Sequence, residues 1–453
     1  MREMNKTVLP TGVDRQRTPQ TGVYRTQIIK NSIGILIVRS VFAFLVIAGA
    51  GLATAQGEEE TPVAFTGDGA WCWFQDPRAV YVEGERMRTY AQWMTREGKL
   101  QVGAFDHATG QTEFQTLEPS WGRDDHNVGA FVVLPDKRLM VFYARHNKRG
   151  IFSRTTANPE DIITWDERIV ISETDRISYA HPVYLRTEKR FYVFWRGPSW
   201  KPTFATSDDG RIWSEPRILI QDLGREDRAI RPYTKITSDG KSTIHIAFTD
   251  GHPRNEAQNS VYYLRYEAGN FFKADGTIAG GMEALPVQHS QSDVVYDGKA
   301  TNVRAWVWDI ALDADGHPVI AYTRHPDESD HRYHCARWNG AAWNDVEVTP
   351  GGGWFPKTIG GKKEREPHYS GGMALDHEDP STLYVSRPIN GMFEIERWQT
   401  PDGGASWTSL PVTQNSDLPN VRPVVPRGGS GVLWMHGSYE HYTRYRTGIR
   451  FAP

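Results

Sequence analysis

From about residue 60 the chain repeats one hydrophobic pattern. A β-branched and aromatic run is followed by a turn of Asp, Gly, Pro or a charged pair, and then by a second apolar run ending in a polar residue. Seven copies occur: "AVYVEGERMRTYAQW", "FVVLPDKRLMVFYARH", "PVYLRTEKRFYVFWRG", "YTKITSDGKSTIHIAFTDGH", "DIALDADGHPVIAYTRH", "GMALDHEDPSTLYVSRP" and "RPVVPRGGSGVLWMHG". Each reads as a β-hairpin. The turns fall near residues 84, 136, 188, 239, 315, 379 and 429, a period of roughly fifty that points to a propeller or solenoid, stretched by insertions in the fourth and fifth units. A single hairpin cannot bury both of its faces, whereas four-stranded blades packed around an axis can, and a closed ring leaves only short edges. The 3.6-residue period of helices is weak throughout. The pattern therefore predicts an all-β, seven-bladed β-propeller forming a single domain over residues 60–453.

Two further segments fit such blades. "TSDDGRIW" (Thr206, Asp208, Gly210, Trp213) and "TPDGGASW" (Thr400, Asp402, Gly404, Trp407) carry the spacing of Asp-box turns, in which Asp bonds local backbone donors and Gly supplies a positive φ. Their role is structural. Ahead of the repeats, Arg39 precedes an apolar run from Val41 to Leu52, and Ala53-Thr54-Ala55 offers a small-residue cleavage site. Residues 1–55 thus read as a signal peptide, with a secreted or periplasmic product and no stable membrane insertion after cleavage.

The bulk chemistry narrows the class. The 453 residues are 24% charged and 39% hydrophobic with a net charge of -3, which suits a globular protein and excludes the basic footprint of nucleic-acid binders. Any anionic partner must therefore be held by a local cluster. Cys72 and Cys335 are too few for a disulfide framework, which leaves one bridge, two thiols or a metal ligand open.

Such a cluster follows from symmetry. If the seven hairpins are equivalent, the ends of their second runs share one face of the ring, and there lie Arg145 and His146, Arg196, Asp250 and His252, Arg324 and His325, Arg387, and His436. This is a cationic funnel able to concentrate an acidic ligand. His126, in "DDHN", lies on the segment leading into the second hairpin and reaches the same rim as His146. Two imidazoles beside a cleft can share acid and base work near neutral pH.

The segments "GAWCWFQDPRAVYV", "DDHN" with "ARHN" twenty residues on, "SYAHPVYL", "FWRG", "RPYTK", "FTDGHPRN", "WVWDIALDADGHPVIAY", "HYSGGMALDH" and "NVRPVVPRG" together resemble the ulvan lyases of the seven-bladed propeller type and their BNR-repeat relatives. The resemblance implies a polysaccharide lyase that cuts rhamnose–uronic acid linkages of an acidic, sulfated polysaccharide by β-elimination. Loss of the C5 proton places negative charge on the uronate carboxylate, so a cation must face that group while a base and an acid serve C5 and O4. By the resemblance, His126 and Tyr179 form the acid/base pair, with either one taking the proton. Arg196 and His146 neutralise the carboxylate, and Tyr233 contacts substrate. Arg145, His252 and Arg324 on the rim are expected to add substrate contacts.

The relatives also carry a structural metal. "HRYHCARW" places His334 beside Cys335, with Asp309 and His368 in adjoining repeats, a donor set suited to zinc, or less well to calcium. Neighbours on a strand point to opposite faces, so His334 and Cys335 share an ion only across a bulge. The proposed elimination requires no cofactor. Other readings on the same scaffold are an exo-acting rhamnosyl-glucuronate lyase, an α-L-rhamnosidase, and a non-catalytic propeller that binds acidic glycan. The protein is expected to act as a monomer.

Overall fold

The computed structural model describes residues 62–222, 230–355 and 369–453, all within one unit spanning Glu58–Pro453. The proposed signal peptide and His368 lie outside the described residues.

Each predicted hairpin forms the two inner strands of a sheet, and seven sheets result. Blade 1 comprises Ala79–Glu83, Met87–Met94, Leu100–Asp106 and Gln111–Glu118. Blade 2 comprises Ala130–Val133, Leu139–Ala144, Ile151–Thr155 and Ile169–Ser172. Blade 3 begins with Ser178–Leu185 and Arg190–Arg196, blade 4 with Thr234–Ser238 and Thr243–Thr249, and blade 5 with Arg304–Leu312 and Pro318–His325. Blade 6 begins with Met373–Leu375 and Thr382–Ile389. Blade 7 is built from Asn420–Val424, Val432–His441 and Arg444–Ala452. Blade 4 has six strands, which accommodates the insertion expected there.

The hydrophobic pattern follows from this packing. Inner strands are covered by blades on both sides, so Leu139–Ala144 is buried at every position and reads as a continuous apolar run rather than an alternating one. Outer strands meet solvent, and Thr408–Pro411 is exposed throughout.

Blade 7 takes its outermost strand from the other end of the domain. Val63–Thr66 pairs antiparallel with the last strand, Val63 opposite Phe451, and Phe65 sets its ring edge-on to Trp93 and Phe451 at 5.8 and 6.2 Å. One cluster of buried residues therefore runs through blades 7, 1 and 2. The strand has only four residues, so its contribution comes from closing the ring and filling that cluster.

Buried charges from several inner strands meet near the axis. Lys235 bonds Asp76 and the carbonyl of Trp73, and Asp76 pairs with Arg78 at 3.1 Å. Asp309 accepts from the Leu375 amide at 3.0 Å, pairs with His377 at 3.2 Å and faces Arg427 at 4.0 Å. Buried charges of this kind persist only when paired.

Two expectations are corrected here. Asp309 serves this axial network, His334 pairs with Asp345 at 3.2 Å, and Cys335, a buried free thiol, sits next to His334 on a strand without a bulge between them. The three do not converge, and they form none of the donor clusters found among the described residues. The proposed zinc set therefore does not fit, and Cys72 is likewise a free buried thiol. In the first Asp-box, the turn carboxylate is Asp209, which accepts from the amides of Arg211 and Ile212 at 2.8 Å each. Asp208 instead pairs with Arg190. The second box is as expected, with Asp402 holding the Ser406 amide at 2.8 Å.

A chain beginning at Gly67 should lose at least about 3 kcal/mol of stability, the cost of deleting a buried phenylalanine ring alone. Denaturant unfolding checks this, and an unchanged midpoint would show that Val63–Thr66 does not close the ring.

Candidate active site

The spacing of His126 and His146 is explained by the blade 2 hairpin. His126 lies in a short 3-10 turn, Asp125–Asn127, whose N-cap Asp124 accepts the His126 amide at 3.0 Å. The chain then runs down Ala130–Val133 and returns along Leu139–Ala144 to His146. Asn127 fastens the two ends by accepting the His146 amide at 2.7 Å. The imidazoles stack with centroids 4.2 Å apart and planes within 10°.

One carboxylate holds both rings. Asp124 Oδ1 is 2.8 Å from His126 Nδ1, and its Oδ2 is 3.0 Å from His146 Nδ1. A carboxylate only accepts, so both rings carry a proton on Nδ1 and turn Nε2 away from Asp124. Asp125 adds a second acid, 2.8 Å from His126 Nδ1. It is fully buried and bonded at 2.5 Å both by Arg422 Nη1 and by the Tyr439 hydroxyl, from blade 7. Arg422 also donates to the Trp71 carbonyl at 2.9 Å and stacks on Trp73 and Tyr439.

Across from the pair stand Tyr179 and Arg196. Tyr179 occupies a bulge at the start of the blade 3 inner strand with φ +65, a costly conformation for an aromatic residue and one that marks functional sites. Its ring lies 5.7 Å from His126 and 6.2 Å from His146. The Arg196 guanidinium packs 4.6 Å above it and donates to Tyr233 Oη at 2.9 Å, Asn147 Oδ1 at 2.8 Å and Ser178 Oγ at 3.1 Å. Asn147 in turn meets His146 Nε2 at 3.1 Å. Beneath them lies an aromatic floor in which Phe74 touches Tyr179 and Tyr233, and Trp306 touches Tyr233 and His252.

Burial and charge divide the two imidazoles. Burial opposes a charge on His126, yet the acidic groups around it, Cys72, Tyr179, Asp125 and Asp124, raise its pKa well above the ordinary imidazole value. His146 moves the other way, to about 4, because burial and the adjacent His126 cation outweigh its bond to Asp124. Burial likewise pushes the Tyr179 phenol well up, against the pull of Arg196 and His126. Asp124 stays ionised despite burial, held well below the carboxylate range by the two histidines. Near neutral pH the cluster therefore offers one imidazolium, one neutral imidazole, a neutral phenol and a guanidinium.

The structure thus brings together His126, His146, Tyr179, Arg196 and Tyr233, with His252 beside them. It separates others. Arg324 bonds Asp345 and Tyr322 and stacks on Tyr296 at 4.1 Å, which removes it from the cluster. Arg387 is held by Glu396, and His436 by Asn420 at 2.8 Å. Arg145 is exposed and lies over Trp121 at 5.3 Å. The broad cationic funnel expected from symmetry contracts to Arg196 and His126.

The sequence reading missed Asp124, Asp125, Arg422, Tyr439, Asn147 and Tyr442, the last set edge-on to His126 at 4.9 Å. The two acids beside His126 in "DDHN" were the one local signal. Of the three sets of donor atoms that lie within 4.8 Å of each other among the described residues, two fall at this site, Asp124 with His126 and His146, and Cys72 with Asp125 and His126. In the first set the nitrogens and carboxylate already satisfy one another by hydrogen bonding.

Residues 88–350 match the BNR repeat-containing family. The chain belongs to that family. Among solved structures it is similar to a polysaccharide lyase described as a PL25 ulvan lyase, known both free and bound to a glucuronate-(1-4)-(3-sulfated rhamnose) unit. Identity is 15%, 86% of this chain and 95% of the other are covered, and the TM-score is 0.66. A second polysaccharide lyase matches at 11% identity, over 86% and 98% of the two chains, with a TM-score of 0.53. At these identities the likeness establishes the propeller fold. No curated protein matches the chain.

Replacing Arg422 by Met should cost about 3–5 kcal/mol, the penalty for stranding a buried charge such as Asp125. Chemical denaturation measures it, and a change below about 1 kcal/mol would show that Asp125 does not depend on Arg422.

Proposed function

We propose that this BNR-family protein is a polysaccharide lyase that cleaves an acidic, ulvan-like polysaccharide at a rhamnose–uronate linkage by β-elimination. The observation that carries the proposal is the stacked histidine pair held on one carboxylate, facing a phenol and a guanidinium. The ulvan lyase fold of the solved neighbours supports the same substrate class.

In this reading the His126 imidazolium and Arg196 face the uronate carboxylate, where negative charge grows as the C5 proton leaves. The neutral His146 takes that proton on Nε2, once the Asn147 amide yields, and Asp124 stabilises the imidazolium that forms. The C5–H electrons become the C4=C5 double bond, the C4–O4 bond breaks, and the neutral Tyr179 phenol protonates the departing oxygen. This exchanges the roles expected for the histidines, because His146 is the ring able to accept a proton near neutral pH. The aromatic floor and burial keep the charged groups in a low-dielectric setting, which strengthens their hold on the carboxylate. A glycoside hydrolase would need two carboxyl groups available to the sugar, whereas Asp124 and Asp125 are spent on imidazoles and Arg422.

Incubation with ulvan should generate the ultraviolet absorbance of a 4,5-unsaturated uronate. New reducing ends without it would mean hydrolysis, and binding without turnover a glycan-binding propeller. Arg196→Ala should lower kcat by about 10²–10³-fold, the usual loss for a donor that stabilises a developing oxyanion, and Lys at this position should recover only part because it lacks the planar fork. Activity should rise as pH passes about 4, where His146 gives up its proton, and fall only above the ordinary imidazole value of about 6.5 as His126 is deprotonated. An acid limb centred near about 6.5 would contradict this assignment.

A further inference from the structure

Of the two donor sets at the site, the one built on Asp124 is closed by its own hydrogen bonds, but the one that joins His126 to Cys72 is not. Cys72 Sγ, one carboxylate oxygen of Asp125 and one ring nitrogen of His126 lie within 4.8 Å of each other. The chain fixes them there. Cys72 donates its amide to the Asp125 carbonyl at 3.0 Å, and its own carbonyl accepts from Arg78 at 3.0 Å. Asp125 Oδ2 is taken by Arg422 and Tyr439 at 2.5 Å each. Its Oδ1 has no hydrogen-bond partner, although the residue is fully buried. That oxygen lies 2.8 Å from His126 Nδ1, but the single Nδ1 proton makes its hydrogen bond to Asp124. A buried carboxylate oxygen without a donor is costly, and this one shares a pocket with a thiol and an imidazole.

Sulfur, nitrogen and oxygen donors together are the set that zinc selects, four around a tetrahedron, and ligand atoms sharing such an ion lie roughly 3–4 Å apart. Three come from the protein, which leaves the fourth position to water. Charge balances as well. The Asp124 and Asp125 carboxylates are offset by the His126 imidazolium and the Arg422 guanidinium. A divalent cation that displaces the thiol proton and the His126 Nδ1 proton leaves Asp124, Asp125 and the Cys72 thiolate against Arg422 and the two charges of the ion. The net charge of the buried cluster is unchanged, and the exchange needs no oxidant or reductant.

We infer that Cys72, Asp125 and His126 form an inhibitory site for zinc or a similarly thiophilic divalent cation, which switches off the catalytic pair by replacing the Nδ1 proton of His126. The site is separate from the structural metal expected in blade 5. Binding at it does not depend on the lyase reading, whereas the inhibition does. With a metal on Nδ1, His126 no longer donates to Asp124 and no longer presents an imidazolium to the uronate.

Cadmium serves as the spectroscopic probe, because a cadmium–thiolate bond absorbs in the ultraviolet. Chelator-treated full-length protein should develop this absorbance on titration with cadmium. The signal should persist in Cys335→Ala, which leaves Cys72 as the sole thiol, and vanish in Cys72→Ala. In turnover, zinc should suppress release of the unsaturated product from ulvan, and EDTA should restore it after preincubation with the metal. Cys72→Ser should need at least about tenfold more zinc for half inhibition, a loss no smaller than that for removing a group that only supports a ligand. Each variant is compared with itself in the absence of zinc, which cancels any general loss of folded enzyme. No absorbance in Cys335→Ala, undiminished absorbance in Cys72→Ala, or equal zinc sensitivity of wild type and Cys72→Ser would overturn the inference. If the wild type forms no unsaturated product from ulvan, the lyase reading falls, and the cadmium absorbance still decides the metal site.

Discussion

A single buried carboxylate, Asp124, organises the site by bonding two stacked imidazoles at once. It fixes their tautomers and their spacing, and it forces an unequal division of charge. Two imidazolium rings 4.2 Å apart would repel strongly in a buried setting, so when one carries the proton the other gives it up. The ring that keeps it is His126, where the acidic groups Cys72, Tyr179, Asp125 and Asp124 outweigh the cost of burial. His146 stays neutral because burial and the adjacent His126 cation both oppose a second charge. The useful chemistry, a proton acceptor beside a cation, comes from this asymmetry.

That arrangement depends on ring closure. Asp125 is held by Arg422 and Tyr439 from blade 7, and blade 7 is completed by Val63–Thr66. Arg422 and Tyr439 of the last blade thus meet Asp125 beside the His126 imidazole. Arg422 sits at φ +55, as Tyr179 does at +65 and Asn147 at +54, so several groups that touch the site occupy strained backbone. Strain of this kind persists only where surrounding packing over-determines it, and here the packing is the inner cluster of aromatic side chains shared between blades. Stability of the ring and placement of the reacting groups are one problem.

Much of this was legible in the chain. Strand pairing is local and periodic, so the seven hairpins, the propeller and the meeting of His126 with His146 could be read from spacing alone. The families of motifs around Tyr179 and Arg196 placed those residues as well. What could not be read were contacts between distant segments. Asp125 and Arg422 are nearly three hundred positions apart, and Val63–Thr66 is too short to show a period. The rim cations failed for a different reason. Equivalence by symmetry says where a strand ends but not which side chains lie across the sheet, and Asp345, two strands away, and Glu396, on the next strand, claim Arg324 and Arg387. Asp309 and His334 were likewise claimed by His377 and Asp345 before any metal.

The division of charge between the two imidazoles is open to direct measurement in the free protein, with no substrate present. Nuclear magnetic resonance titration of the ring protons of His126 and His146, assigned with His126→Gln and His146→Gln variants, reads both values. The account predicts that His126 stays protonated well above the ordinary imidazole value of about 6.5 while His146 titrates near 4. Two rings titrating together near about 6.5 would contradict it.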